Sequence, residues 1–270
     1  MRAGKEYKMN LDLKIVLPVV IAFCISVVLC PIVIPFLKKL KFGQFVRDDG
    51  PQAHLKKAGT PTMGGLIILL SLTITTLIYM KKYPDVLPVL FVTLGFGLIG
   101  FIDDYIKVVM KRSMGLHAWQ KMLGQIVVTG VFAYYVEKYS DINNELIIPF
   151  LGKTVQLNST LYVILLFFIV LGTVNGANFT DGLDGLASSV TVLIATFFAV
   201  VAVGTDSGVA PVACAAVGCL LGFLVYNVYP AKVFMGDTGS LALGGFVAST
   251  AYMLKMPIFL SLIHISEPTR

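Results

Sequence analysis

Charged residues are scarce in this chain of 270 residues, and their scarcity limits the class of protein it can be. Only 13% of the residues are Asp, Glu, Lys or Arg, whereas about 25% is usual for soluble domains. Apolar residues make up 57% of the chain, and its mean hydropathy is +0.85. A soluble globular fold is therefore excluded. Apolar runs long enough to cross a bilayer recur along the whole length, so a single anchor on a soluble domain is excluded as well.

Cysteine and histidine are also rare, and their spacing excludes two common kinds of site. The cysteines lie within apolar runs and match neither a CxxC redox pair nor a zinc site. The histidines are isolated from one another along the chain. These residues are Cys24, Cys30, Cys214, Cys219, His54, His117 and His264. We therefore expect the cysteines to be packing residues and the histidines to lie at the membrane interface or in solvent.

The apolar runs predict an all-α fold, a polytopic transmembrane helical bundle with about eight spans. The runs are 15–37, 64–80, 86–102, 122–136, 160–177, 185–203, 209–228 and 240–254, and a further one begins near 256. The first run is too long for the apolar core of a signal peptide and lacks a cleavage site, so we expect a retained membrane helix. Residues 146–157 predict a small β-hairpin between the fourth and fifth spans.

Basic residues are concentrated in two loops, 38–63 and 103–121. The positive-inside rule therefore predicts that the first, third, fifth and seventh loops face the cytoplasm. The basic tail before the first span argues for the opposite orientation, and we give the two loops more weight. Lys and Arg number 21 against 15 Asp and Glu, a net charge of +6. We ascribe this excess to topology and headgroup contacts rather than to nucleic-acid binding.

Five carboxylates lie at the predicted cytoplasmic ends of the spans: Asp103, Asp104, Asp181, Asp184 and Asp237. Ionisable groups at helix mouths are costly and usually mark a site when they converge. Because carboxylates repel one another, a divalent cation or lysines are expected beside them, and the candidate lysines are Lys57, Lys107 and Lys111. Oxygen ligands without histidine or cysteine pairs favour Mg²⁺, which often shares its coordination with substrate phosphates. The pattern predicts a Mg²⁺-bound nucleotide diphosphate at the inner membrane surface.

Each of these motifs also has a purely structural interpretation. The pair Asp103 and Asp104 could simply end a helix at the interface, although acids there oppose the helix dipole. Residues 178–184 could be cap and turn residues, and Asp237 could cap the eighth helix. Lys57 could be one more positive charge of the inner loops. We prefer the functional interpretation because all four motifs fall on the same predicted face.

The chain resembles the phospho-N-acetylmuramoyl-pentapeptide transferase family of the polyprenyl-phosphate N-acetylhexosamine-1-phosphate transferases. The resemblance extends from the first span to about Lys255. Four motifs carry it: KAGTPTMGG at 57–65, DDYIK at 103–107, NFTDGLDGLA at 178–187 and PAKVFMGDTGSLALGG at 230–245. It implies that UDP-MurNAc-pentapeptide donates phospho-MurNAc-pentapeptide to undecaprenyl phosphate, with Mg²⁺ as cofactor. The products are lipid I and UMP, in the first membrane step of peptidoglycan synthesis at the bacterial inner membrane.

The resemblance also implies roles for individual positions. They are, for catalysis, Asp103, Asp104, Asp237, Lys57 and Lys107, with Asp237 as the Mg²⁺ ligand, and, for substrate binding, Thr62, Asn178, Asp181, Asp184 and Asn227. To the substrate-binding residues we add Lys111 from the basic third loop. Asp103 positions the attacking lipid phosphate, accepts its residual proton or forms a covalent phospho-enzyme. These three alternatives stay open, as does the oligomeric state, a homodimer included.

The carboxyl end departs from the family, whose fold has ten spans and a run of histidines in a late loop. We expect residues 1–258 to be an incomplete membrane transferase domain and 259–270 a non-native or truncated tail. We therefore expect this chain to be inactive by itself. Two other functions are kept open: a sister transferase that takes UDP-N-acetylglucosamine, and an ion-coupled transporter, which the absence of an inverted repeat disfavours.

Overall fold

The computed structural model describes residues 2–39, 59–110, 112, 114–140, 142, 144–148 and 151–260, with side chains from Ile15 onward. In this part of the chain eight helices form the bundle. They are α1 (Arg2–Lys39), α2 (Gly65–Tyr79), α3 (Val86–Val108), α4 (Ala118–Tyr139), α5 (Ser159–Thr180), α6 (Leu186–Gly204), α7 (Ala210–Asn227) and α8 (Gly236–Met253). Each coincides with one predicted span, so the prediction of a polytopic helical bundle is confirmed.

Five segments of the described helices are long and apolar enough to cross a membrane. They are Ile15–Lys39, Val86–Val108, Ser159–Thr180, Leu186–Gly204 and Ala210–Asn227. Helix α2 is shorter, with 15 residues, while α4 and α8 carry more polar and small residues. The lower hydropathy of α8 is explained by its position, since it lies at the centre of the bundle.

Helix α8 is the core of the fold. Every residue from Thr238 to Tyr252 is buried, and the helix packs against α3, α5, α2 and α6. Small side chains allow this close packing: a Cβ at Gly245 would meet the Phe96 ring, and one at Gly244 would meet the backbone of Val174. Transmembrane helices associate through such small-residue contacts because lipid provides no hydrophobic drive between them.

The predicted β-hairpin is also present. Strands β1 (Glu145–Ile148) and β2 (Lys153–Gln156) pair antiparallel, with Leu146 opposite Val155. The hairpin is fixed to the end of α8, where Ile147 donates its N–H to the carbonyl of Lys255 at 2.7 Å and Lys255 Nζ lies 2.7 Å from Glu145 Oε2. The hairpin therefore closes the end of the bundle opposite to the motifs.

Several helices extend further than their apolar runs, and this corrects the predicted loops. Helix α3 continues through Asp103, Asp104 and Lys107, and α8 begins before Asp237. The interface does not end these helices, because a helix satisfies its backbone hydrogen bonds internally whatever surrounds it. The candidate site residues consequently stand on the last and first turns of helices, which hold them more rigidly than loops do.

The predicted orientation can be tested by cysteine labelling. Met114 and Leu151 are 70% and 65% exposed and lie in loops at opposite ends of the bundle. In a background with the exposed Cys24 replaced by serine, Met114→Cys should react with a membrane-impermeant maleimide only in inverted vesicles. Leu151→Cys should react in intact cells. Labelling of both variants from one side would contradict the topology.

Candidate active site

The first turn of α8 is held by a carboxylate from another helix. Asp104 on α3 is 4% exposed, and its Oδ1 accepts the N–H of Asp237 at 3.2 Å. Its Oδ2 accepts both the N–H of Thr238 at 2.9 Å and the Thr238 hydroxyl at 2.6 Å. The first N–H groups of a helix lack partners within the helix and carry partial positive charge, so a buried carboxylate is a favourable acceptor. Asp104 thereby fixes where α8 begins.

Glycine is needed at the turn that leads into α8. Gly236 has φ of +70°, and a Cβ there would lie 2.6 Å from Asp104 Oδ2 and 2.7 Å from Thr62 Oγ1. A larger residue would be strained by its backbone conformation and would also displace both side chains. The segment before α2 pairs with this turn, because Gly64 and Gly65 donate their N–H groups to the carbonyls of Phe234 and Met235 at 2.8 and 2.9 Å. Thr62 is thus held beside the start of α8.

Asp103 occupies a different environment from its neighbour. Its side chain is 2% exposed, and Oδ1 accepts the N–H of Leu116 at 2.8 Å. Oδ2 lies 2.5 Å from Lys107 Nζ and 3.9 Å from Lys121 Nζ. Whereas Asp104 is turned toward the backbone of α8, Asp103 is turned toward two cations. The two members of the pair therefore have different partners, the backbone of α8 for Asp104 and lysine side chains for Asp103.

Asp237 lies between cations on one side and an amide on the other. Its Oδ2 is 2.9 Å from Lys107 Nζ and 2.7 Å from Lys121 Nζ. Its Oδ1 accepts a hydrogen bond from Asn178 Nδ2 at 2.9 Å, and the same amide nitrogen donates to Ser240 Oγ at 2.7 Å. Burial by itself raises the pKa of Asp237, but the charges of Lys107 and Lys121 hold that pKa below its ordinary value. Asp237 is therefore ionised at neutral pH.

The three carboxylates are close enough to share a cation. Asp103, Asp104 and Asp237 each offer one oxygen, and these oxygens lie within 4.8 Å of one another. Carboxylate oxygens without histidine or cysteine suit a hard cation. The oxygens of Asp104 accept backbone N–H groups of α8, whereas Asp237 Oδ2 and Asp103 Oδ2 face lysine side chains, whose flexible ends a cation can displace. Asp237 and Asp103 are therefore better placed as ligands. The cluster can bind a metal ion, as the sequence predicted.

Comparison with known proteins identifies the family of this chain. The model for glycosyl transferase family 4 matches residues 86–255, and signature 1 of phospho-N-acetylmuramoyl-pentapeptide-transferase matches residues 57–69. Curated proteins of that name align with 94 to 96% of this chain and 78 to 80% of their own length. Those of Caldicellulosiruptor bescii, Bacillus subtilis and Clostridium botulinum are 48, 47 and 48% identical to it.

The chain belongs to the phospho-N-acetylmuramoyl-pentapeptide transferase family. It is a transferase and a multi-pass protein of the bacterial inner membrane. The resemblance drawn from the four motifs is thereby confirmed. The predicted inactivity of residues 1–270 alone, and the predicted domain bounds, stay predictions.

Two other predicted residues contact the segment before α8. Asp184 Oδ2 accepts the N–H of Ala231 at 3.1 Å. Asn227 is 2% exposed, donates to the carbonyl of Val233 at 2.9 Å and accepts the Ser188 hydroxyl at 2.8 Å. Asp181 follows α5 directly and is partly exposed. Asp184 and Asn227 therefore hold the segment that leads into α8, at Ala231 and Val233.

The structure brings together most of the predicted residues and adds others. Asp103, Asp104, Lys107, Asn178 and Asp237 meet in one cluster, and Thr62 lies beside it. Lys57 and Lys111 lie outside the described residues, so their roles stay predictions. The sequence reasoning missed three contacting side chains, which are Lys121, Thr238 and Ser240. In the sequence Lys121 is the last residue of the basic loop 103–121, and its place directly before a predicted span was a usable signal.

Proposed function

We propose that this chain catalyses the transfer of phospho-MurNAc-pentapeptide from UDP-MurNAc-pentapeptide to undecaprenyl phosphate, which yields lipid I and UMP. The observation that carries the proposal is the partly buried cluster of Asp103, Asp237, Lys107 and Lys121 at the end of the bundle predicted to face the cytoplasm. A partly buried site with both carboxylates and lysines suits the joining of two phosphate groups, since it can hold a cation and anions together. Family membership supports the choice of substrates.

The chemistry is a displacement at phosphorus. An oxygen of the lipid phosphate attacks the β-phosphorus of the UDP-sugar, the bond from that phosphorus to the bridging oxygen breaks, and UMP leaves with the electron pair. Lys107 and Lys121 are placed to contact the two anions and to reduce their repulsion. A phosphate monoester is mostly dianionic at pH 7, because its second pKa is about 6, so little general-base assistance is needed.

The proposed cofactor is Mg²⁺, which would neutralise charge on the pyrophosphate when it is bound. Asp237 would hold the Mg²⁺ ion, and Asp103 is close enough to be a second ligand. Asn178 orients Asp237 by donating a hydrogen bond to Asp237 Oδ1. Asp104 acts through α8, by fixing the first turn on which Asp237 stands. In this proposal Asp104 is a positioning residue.

The experiment that tests the function is release of UMP from UDP-MurNAc-pentapeptide, with and without undecaprenyl phosphate and Mg²⁺. Because the relatives are about a fifth longer, 79% of the Bacillus subtilis protein being aligned, turnover is measured on residues 1–270 and on the same chain extended with the matching carboxyl-terminal part of that relative. We refer to the second protein as the extended chain. Release that needs both additions supports the proposal. Stronger use of UDP-N-acetylglucosamine would instead identify a sister transferase.

The role of Asp103 is tested by Asp103→Asn in the extended chain. If Asp103 only positions the lipid phosphate, kcat should fall about 10- to 100-fold and leave measurable turnover, since the amide keeps the shape but loses the charge facing Lys107. The measurement is lipid I formation at saturating substrates. One equivalent of UMP released by the parent without lipid acceptor, and none by the variant, would contradict positioning and indicate a covalent phospho-aspartate.

A further inference from the structure

A pair of amide side chains joins α4 to α5 about one helical turn from the carboxylate cluster. Gln125 Nε2 donates to Asn175 Oδ1 at 3.3 Å, and Asn175 Nδ2 donates back to Gln125 Oε1 at 2.9 Å. Asn175 Nδ2 also donates to the carbonyl of Leu171 at 2.8 Å. Gln125 is 1% exposed. A buried amide without partners is unfavourable in an apolar setting, so this reciprocal pair holds the two helices together at one place.

The pair stands one helical turn from two side chains that hold Asp237. Gln125 follows Lys121 by four residues on α4, and Asn175 precedes Asn178 by three residues on α5. Residues three or four apart lie on the same face of a helix. Lys121 contacts Oδ2 of Asp237 at 2.7 Å, and Asn178 contacts Oδ1 at 2.9 Å. Side chains of α4 and α5 therefore both contact Asp237, and the amide pair joins these two helices one helical turn away from those contacts.

We propose that Gln125 and Asn175 are positioning residues for the transfer reaction, which set the separation and the axial register of α4 and α5 so that Lys121 and Asn178 together orient Asp237. This inference rests on the proposed function. In addition to the packing between the two helices, two reciprocal hydrogen bonds permit only a narrow range of relative positions. A displacement of about 1 Å at a reacting centre can lower a rate by about 100-fold.

The test uses two single variants and a swap. Gln125→Met and Asn175→Leu each remove both hydrogen bonds between the two helices, whereas Gln125→Asn with Asn175→Gln exchanges the two side chains and keeps both amides and their combined length. In the extended chain we expect each single variant to lower kcat at least about tenfold, with KM for UDP-MurNAc-pentapeptide within about threefold. The swap should return kcat to within about threefold of the parent.

A second measurement does not depend on turnover. Mn²⁺ binding to residues 1–270, followed by electron paramagnetic resonance, should weaken about tenfold or more in each single variant and recover in the swap. If the extended parent shows no transfer from UDP-MurNAc-pentapeptide, the proposed function fails, while the Mn²⁺ measurement still tests whether the pair orients Asp237.

The matched control is Thr129→Val. Thr129 lies one turn further along α4, is fully buried, and donates its hydroxyl to the carbonyl of Gln125 at 2.7 Å within the same helix. Its loss should leave kcat and Mn²⁺ affinity within about threefold of the parent. The inference is overturned if Gln125→Met keeps parental kcat and Mn²⁺ affinity, if the folded swap recovers neither, or if Thr129→Val loses as much as the single variants. Where the single variants do not fold, kcat and Mn²⁺ affinity of the folded swap decide: recovery of both supports the inference, and recovery of neither overturns it.

Discussion

Asp237→Asn should lower lipid I synthesis by the extended chain by about three orders of magnitude or more while the protein still folds. The substitution keeps the shape of the side chain but removes the charge that faces Lys107 and Lys121 and that would hold Mg²⁺. A thousandfold loss corresponds to about 4 kcal/mol of transition-state stabilisation. The measurement is kcat at saturating substrates and Mg²⁺, together with Mn²⁺ binding to residues 1–270, which should weaken in parallel.

Asp85→Asn is the matched control for Asp237→Asn. Asp85 is an exposed acid at the opposite end of α3 from the cluster, and its side chain does not cap the helix. The same change of acid to amide there should leave kcat within about threefold of the parent. Turnover by Asp237→Asn within tenfold of the parent at saturating Mg²⁺ would remove Asp237 from the proposed metal role.

The helices and the convergence of the acids could be predicted because each depends on a local pattern. The apolar runs coincide with the eight described helices, and residues within the predicted range 146–157 form the hairpin. Asp103 and Asp237 were predicted to meet although they are 134 positions apart, because charged residues at one membrane face are costly and usually converge on a site. The shared membrane face of the two acids thus indicated a contact that their separation along the sequence does not show.

The pairing inside the site could not be predicted in the same way. Which oxygen of Asp104 accepts from Thr238, and why Asp103 turns to Lys107 instead, depends on the rotation of α3 against α8. The rotation of one helix against another is set by packing, such as the approach of Gly100 to the Asp237 carbonyl. Asn227 illustrates the same limit: the resemblance implies a role in substrate binding, which stays a prediction, but the contacts of its amide with Ser188 and Val233 could not be predicted from the sequence.

The second large effect is expected for Asp104→Asn. An amide nitrogen cannot accept a hydrogen bond, so Asp237 N–H or the Thr238 donors lose a buried partner. Such a loss costs about 1–3 kcal/mol of the free energy of unfolding. Because the first turn of α8 carries Asp237, its displacement should also lower kcat about 100-fold and weaken Mn²⁺ binding. Thermal unfolding, kcat of the extended chain and Mn²⁺ affinity are measured together.

Two substitutions at Thr238 calibrate this result, because its hydroxyl donates to Asp104 Oδ2 at 2.6 Å. Thr238→Ser keeps the hydroxyl and should stay within about threefold of the parent in kcat. Thr238→Val replaces the hydroxyl by a methyl group and should fall between the parent and Asp104→Asn in both stability and turnover. If Asp104→Asn instead loses turnover while stability and Mn²⁺ affinity stay at parental values, Asp104 acts on the substrate directly and is a catalytic residue, because a carboxylate that only positioned α8 could not be removed without moving Asp237.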